Sequence, residues 1–513
     1  MEADKKRCSD LRNKLSWFRQ TIGIKTDYFK VPFLIHLLEK SSLIKHCSGT
    51  TKRRCYMLAS WLILYYFNIS WAISIRSFGV IKGTLNPPCC RQINTTIVYD
   101  IPQNCTCWDP FIGDYGTSLI GALDGAFLIP FTLSTLILGN IADHLNYRYV
   151  LTIGGSNVVI LMLLFGSAYF LSIHSFPYFL VIQILYGVSA AVYSSCFAVI
   201  GIWFHGCKRK NTIISLWATY SGVGRILGGL LPAIFADGPW GYSYILISSL
   251  ILIAVILVFL FLVPYPDYVG INLSKNKNAK SVNNEIKSGK NGIKIWRALL
   301  IPGVIEFAIT FFFNKSVYYT FLFWLPYLIR NTVIGGISYQ SSLSAVFSIL
   351  FDIGSIFGVV TGGFIADKLH SYSLICTIYL YIGAVLIYVY SIVNSIHLAA
   401  NLICLFFIGF TVNGTHALIL SCVSIDLGRN KKIMEQNKRA IATMNGIINF
   451  SGSVGASITV SLIGVVFQLG VNAVLYVMIA GMILSALFIT RIAVKDIIRI
   501  YTNYRSYVYV VQD

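Results

Sequence analysis

Charged residues inside the long apolar stretches of this chain are few, and those few are where chemistry can occur. Arg76, Arg225 and Lys315 are cations, and Asp124 and Asp352 are acids, each embedded among apolar neighbours. Placing an arginine at the centre of a lipid-embedded helix costs at least ~2.5 kcal/mol on insertion scales, so such charges mark functional sites by default. A guanidinium in low-dielectric surroundings can hold an oxyanion such as phosphate through two parallel hydrogen bonds. The acids have two readings, as protonatable coupling sites or as salt-bridge partners. Arg225 with Asp124, and Lys315 with Glu306, are the pairings that would make those cations structural. Asn413, His416 and Asn449 are neutral groups able either to bond hydroxyls or to tie helices together. His416 is in addition a candidate proton switch. Tyr318 and Tyr319, close to Lys315, are the aromatic residues best placed to line a cavity.

No G-x-S-x-G, Walker A, H-E-x-x-H or metal-spaced Cys/His grouping occurs in the 513 residues. The expectation is a non-enzyme with no cofactor and no metal. Without a nucleotide-binding loop, any transport should run on gradients or exchange.

The elements that position these charges are membrane spans. The chain is 56% hydrophobic and 12% charged, more apolar surface than a soluble core absorbs. A bilayer-crossing helix needs about 20 apolar residues, and twelve such runs appear. They cover 56–79, 117–139, 149–172, 176–204, 212–236 and 241–263, then 299–328, 340–363, 372–393, 397–424, 439–468 and 471–491. The fold class is thus an all-α polytopic membrane protein. Between the sixes lies 264–298, Lys/Asn/Ser-rich and unable to bury apolar surface, which reads as a flexible linker. The predicted organisation is a basic tail 1–55, a six-helix half 56–263, the linker, a second half 299–491 and a tail 492–513. The stretch from Phe33 to Lys45 reads either as an amphipathic helix on the membrane surface or as part of a disordered tail.

The net charge of +20 is distributed as a membrane protein requires. Lys and Arg crowd the tail 1–55, Lys208-Arg209-Lys210, the linker, the 429–439 turn and the C-terminus. The loop 82–118 has only Lys82 and Arg91 against Asp100, Asp109 and Asp114. That asymmetry places both termini in the cytosol and argues against nucleic acid as a partner. The loop then faces a lumen or the outside. It carries glycosylation acceptors at Asn94 and Asn104, and Cys89, Cys90, Cys105 and Cys107 can form disulfides there with three connectivities open.

Gly139-Asn140-Ile141-Ala142-Asp143-His144-Leu145 recurs as Gly363-Phe364-Ile365-Ala366-Asp367-Lys368-Leu369, 224 residues later (363 − 139). Each copy follows the second span of its half. The repeat implies two homologous halves that rock against each other. In this reading Gly139 and Gly363 allow close approach of helix ends, Asp143 and Asp367 cap or pair with donors nearby, and Arg148 is an available partner for Asp143. Together they would form a latch that makes and breaks.

Six spans plus six with this turn repeated is the layout of the major facilitator superfamily. The resemblance sharpens at Cys107-Trp108-Asp109-Pro110-Phe111, at Gly121-Ala122-Leu123-Asp124-Gly125, and at Ser221-Gly222-Val223-Gly224-Arg225-Ile226-Leu227-Gly228. It continues at Ile301-Pro302-Gly303-Val304-Ile305-Glu306-Phe307, Tyr319-Thr320-Phe321-Leu322-Phe323-Trp324-Leu325-Pro326 and Ser424-Ile425-Asp426-Leu427-Gly428. From about residue 56 to 497 the chain resembles the sugar-phosphate exchangers, solute carrier family 37, a group of organophosphate–phosphate antiporters. The resemblance implies an arginine–lysine pair in the first span, but here Ile75 stands at the arginine position and Arg76 at the lysine. Lys315 matches a lysine of the family, and Arg225 stands where the family more often has asparagine.

The function so implied is exchange of a sugar phosphate or glycerol phosphate for inorganic phosphate, with Arg76 and Lys315 clamping the phosphoryl group and Arg225, Tyr318, Asn413 and His416 beside them. In the empty site, unpaired cations would then disfavour closure. The partners are small anions and membrane lipids, with a homo-oligomer left open. Endoplasmic reticulum is the membrane the family implies, with plasma or vacuolar membrane as alternatives. Two other readings stand: a carrier of another organic anion with proton coupling, and a carrier-like partner or sensor that does not transport.

Overall fold

The computed structural model describes residues 49–91, 107–142, 145–204, 210–269, 303–369, 371–428 and 440–512, with Pro32, Ile35, Leu299 and Ile301. The linker beyond 269, the sequons at Asn94 and Asn104, Cys105 and most of the N-terminal tail lie outside these residues. Twelve long helices are found among the described residues. They are α1 (Gly49–Leu85), α2 (Gly113–Ala142), α3 (Tyr147–Phe170), α4 (Phe176–Trp203, with a 3-10 turn at Ala191–Ser195), α5 (Tyr220–Ala236) and α6 (Gly241–Phe261). The second set is α7 (Val304–Arg330), α8 (Ser341–Leu369), α9 (Tyr372–Val393), α10 (Leu398–Gly428), α11 (Ala440–Val466) and α12 (Val471–Gln512). Among the described residues ten helices are long and apolar enough to cross a membrane, and α5 and α7 are not of that number. α5 is 17 residues long and continues from a short helix at Lys210–Ala218, while α7 carries Asn314 and Lys315.

Local sequence explains where several helices start and stop. Pro87 and Pro88 cannot continue α1, which ends at Leu85. Asn146 caps α3 by accepting from the Arg148 backbone N–H at 3.0 Å, and Ser371 caps α9 by accepting from the Leu374 N–H at 3.4 Å. These two caps occupy corresponding places just after the repeated turns. The first helix differs from expectation: it runs on past 79, so Lys82 belongs to α1 and not to the loop. Apolar residues continue unbroken up to it, and its charge is neutralised inside the bundle.

Helix pairing repeats between the halves. In the first, α1 packs on α5 and α6, α3 on α4 and α6, and α2 on α4. In the second, α7 packs on α11 and α12, α9 on α10 and α12, and α8 on α10. Adding six to each label converts one set into the other. The halves meet along α1·α7, α2·α11 and α5·α8, a set that maps onto itself when the halves are exchanged. Leu133, Ile160, Ile234, Phe357 and Val385 are exposed on the periphery, the pattern of a bundle whose solvent is lipid.

Small residues set how closely some helices cross. A Cβ on Gly121 of α2 would lie 2.7 Å from the Ser461 carbonyl oxygen and 2.9 Å from the Gly464 Cα of α11. On α8 a Cβ at Gly358 would fall onto the Phe410 carbonyl oxygen of α10. Gly363 does not play that part: a Cβ there would meet nothing within 4 Å, so the close approach expected of this turn is absent in this conformation. Asp367 is exposed and accepts from the Tyr372 hydroxyl, a local contact within the turn. Gly139 lies in the last turns of α2, and Asp143 is outside the described residues. Arg148 is buried, with its Nη2 donating to the Tyr149 hydroxyl at 2.8 Å.

Gly358→Leu should therefore force α8 and α10 apart and cost about 1–3 kcal/mol or more by overpacking. In detergent the expected result is a loss of monodisperse protein or a fall in Tm of several degrees. An unchanged Tm would contradict the packing described.

Candidate functional site: a charged layer between the halves

Arg76 lies nine residues before the end of α1 (85 − 76), about 14 Å at helical rise and near the middle of a ~30 Å hydrocarbon layer. It is fully buried and does not snorkel outward. Its Nη1 donates to the Leu322 carbonyl oxygen of α7 at 2.5 Å and its Nη2 to Ser348 Oγ of α8 at 2.9 Å. The same Nη2 is 3.5 Å from Asp352 Oδ2. Arg225 approaches that carboxylate from α5, donating from Nε to Asp352 Oδ1 at 2.9 Å and from Nη1 to Ser221 Oγ at 2.5 Å. One acid of the second half thus bridges two arginines of the first.

The Arg225 guanidinium lies over the Tyr318 ring at 5.6 Å, close enough for a cation–π contact. Tyr318 in turn stacks on His416 with centroids 4.6 Å apart, and His416 on Phe311 at 4.9 Å. The Lys315 ammonium sits 5.6 Å from the Phe311 ring and 5.4 Å from that of Tyr319, and donates to Asn449 Oδ1 at 3.0 Å and Ser453 Oγ at 2.7 Å. A stacked chain, Tyr318–His416–Phe311, therefore connects the surroundings of Arg225 with those of Lys315. His416 Nδ1 is buried without a hydrogen-bond partner among the described residues. Asn413 is buried in α10, one residue along from the Val412 carbonyl that accepts from Asn314. The structure thus brings Arg76 and Arg225 together, and links Lys315, Tyr318 and His416.

Several expected pairings are different. Asp124 pairs with Lys82, whose Nζ lies 2.5 Å from Oδ2, and leaves Arg225 to Asp352. Glu306 pairs with Arg491 at 3.1 Å and leaves Lys315 to its neutral partners. The empty site is not a set of unpaired cations, because Asp352 already balances one charge of the two arginines. Ile75, at the position where the resemblance implies an arginine, borders a small cavity lined by Ser74, Asp124, Gln183, Tyr186 and Tyr244 of the first half and by Phe323 of α7.

Lys82 is the residue that sequence reasoning missed. It is fully buried, donates to the Phe323 carbonyl oxygen at 3.1 Å, and has the rings of Trp324, Phe78 and Phe323 at 4.2, 5.1 and 5.6 Å. The signal was present: the proline break comes at Pro87-Pro88, five residues beyond it (87 − 82). With Asp124 it forms a neutral pair at the end of the bundle that carries the 82–118 loop, here called the loop end. Two further contacts join the halves there. Asp237, after α5, accepts from the Ser341 backbone N–H of α8 at 2.7 Å, and Thr117 Oγ1 of α2 donates to the Gly464 carbonyl oxygen of α11 at 2.9 Å. Cys89 and Cys107, in the segments flanking the undescribed part of the loop, are each disulfide-bonded. The side chain of Cys90 is outside the described residues, as is Cys105.

Known proteins are similar to this chain in architecture and in sequence. Residues 56–458 match the Major Facilitator Superfamily. A putative glycerol-3-phosphate transporter 5 of Arabidopsis thaliana is 30% identical over 457 residues, covering 85% of this chain and 90% of that one. The glucose-6-phosphate exchanger SLC37A2 of Bos taurus is 30% identical over 467 residues, covering 85% and 94% respectively. Among solved structures, a bacterial homologue of the human lysosomal transporter Spinster, inward-facing and unoccupied, superposes with a TM-score of 0.60 at 13% identity, covering 86% of this chain and 98% of that one. A D-xylose–proton symporter superposes with a TM-score of 0.59 at 12% identity, covering 85% and 97%, and like the first it speaks to the fold alone. The chain belongs to the sugar-phosphate exchanger family, solute carrier family 37, within the major facilitator superfamily.

Proposed function

We propose that this protein exchanges a phosphorylated sugar or glycerol phosphate for inorganic phosphate by alternating access. The observation that carries the reading is the burial of Arg76 and Lys315 on α1 and α7, the corresponding first helices of the two halves, with Arg225 beside the first. A phosphoryl group meeting both cations would draw α1 and α7 together and stabilise an occluded state. That differential stabilisation is what couples cargo to reorientation. Tyr318, His416 and Asn413 would contact the organic part, and the relatives named for glycerol-3-phosphate and glucose-6-phosphate support a small polar one.

The loop-end contacts of Lys82, Asp237 and Thr117 suit a state closed on that side, with cargo entering from the end that bears the termini. We place that end in the cytosol on the distribution of Lys and Arg, and the loop with Asn94 and Asn104 in a lumen or outside, in the endoplasmic reticulum by family analogy. The Asp143 and Asp367 turns, with Gly139, Arg148 and Gly363, would latch the cytosolic end in the opposite state.

Vesicles containing the purified protein and preloaded with phosphate should take up labelled glycerol-3-phosphate or glucose-6-phosphate faster than empty vesicles. Equal rates would rule out exchange. Arg76→Ala and Lys315→Ala should each weaken phosphate competition about 30-fold or more, since truncating one member of a buried charge contact costs ~2–5 kcal/mol. Competition that survives both changes would remove the cation clamp.

A further inference from the structure

The exchange reading names cations for the cargo but leaves the cargo's charge open, and Asp352 bears on that. Its carboxylate is fully buried, in the middle of the α5·α8 seam, and belongs to the half opposite the arginines it contacts. The other buried acid of the charged layer, Asp124, is consumed by Lys82 and forms a neutral unit. Lys315 has only uncharged partners among the described residues. The layer then holds three cations, of which Arg76 and Arg225 contact the one remaining carboxylate, and two positive charges are left over.

The triad is also incompletely satisfied. Arg76 Nε has no acceptor and Asp352 Oδ2 no hydrogen-bond donor among the described residues. A phosphoryl oxygen can therefore take up the spare Arg76 donor without displacing Asp352, so the carboxylate counts in the loaded site as well as in the empty one.

We infer that Asp352 is a specificity-determining residue that tunes this site to doubly charged oxyanions. The inference rests on the exchange reading above. In a low-dielectric layer any residual charge is costly, so the best cargo is the one that brings the sum to zero. A phosphate monoester near pH 7 carries between about −1.5 and −2, because its second ionisation falls near pH 6. Inorganic phosphate is similar, which would let one site accept both partners of an exchange. Removing the negative charge of Asp352 leaves three positive charges and should move the optimum to a more highly charged anion.

The test uses the full chain in vesicles, with labelled inorganic phosphate taken up against glycerol-3-phosphate or pyrophosphate as competitors. Asp352→Asn is expected to raise the potency of pyrophosphate relative to glycerol-3-phosphate about tenfold or more, given the strength of a charge a few ångströms away. The double variant Arg225→Asn/Asp352→Asn removes one charge of each sign and is expected to restore the wild-type ratio. Arg225→Asn alone leaves one positive charge and should favour a monoanion such as dimethyl phosphate, which supplies the test if Asp352→Asn does not fold. An unchanged pyrophosphate-to-glycerol-3-phosphate ratio in folded Asp352→Asn overturns the inference alone. Wild-type protein that takes up no phosphate overturns the exchange reading and this inference with it.

Discussion

Charge held between two lipid-embedded halves must be balanced by protein or by cargo, and the carboxylate of Asp352 is where this molecule does the balancing. It reaches from α8 to Arg76 on α1 and Arg225 on α5, so the arginines of one half are held by an acid of the other. Breaking a buried pair by removing one partner costs roughly 3–5 kcal/mol, which makes this contact a strong determinant of how α1, α5 and α8 sit. Lys315, across the stacked rings of Tyr318, His416 and Phe311, has no such acid among the described residues and is left to Asn449 and Ser453. The asymmetry gives the site a net positive charge and a reason to bind an anion.

Around that layer the helices pack in the same way in both halves. The same five helix pairings occur in each half, and the halves touch along α1·α7, α2·α11 and α5·α8. Gly121 and Gly464 bring α2 and α11 close enough for the Thr117 hydroxyl to reach a main-chain carbonyl across the seam. Lys82 does the same between α1 and α7, and Asp237 between α5 and the start of α8. Each is a main-chain contact that can be released without leaving an ionised group alone: Lys82 keeps Asp124, and Asp237 is near the aqueous edge.

Much of this was legible in the residues themselves. Apolar runs of sufficient length pointed to ten of the long helices directly, and the helix pairing repeats in the two sets as the recurring Gly…Ile-Ala-Asp…Leu turn implies. The sparse charges Arg76, Arg225, Lys315, Asp124 and Asp352 were visible because lipid makes each one costly. What one sequence could not show was partnership. Asp124 and Asp352 are equally buried acids in the second helices of their halves, and only the three-dimensional register gives one to Lys82 and the other to the arginines. On sequence alone the first span ends at 79 and Lys82 falls in the loop, whereas an ion pair and three aromatic rings keep it inside α1. The turn glycine Gly363 was expected to permit close approach, yet its surroundings are open in this conformation.

A structure of the protein determined with inorganic phosphate bound tests the central claim most directly. The account predicts one oxyanion within hydrogen-bond distance, about 3 Å, of the Arg76 guanidinium and of the Lys315 ammonium, with α1 and α7 drawn together around it. Phosphate bound elsewhere, with Arg76 still engaged only by Leu322, Ser348 and Asp352 and Lys315 still on Asn449 and Ser453, would contradict it.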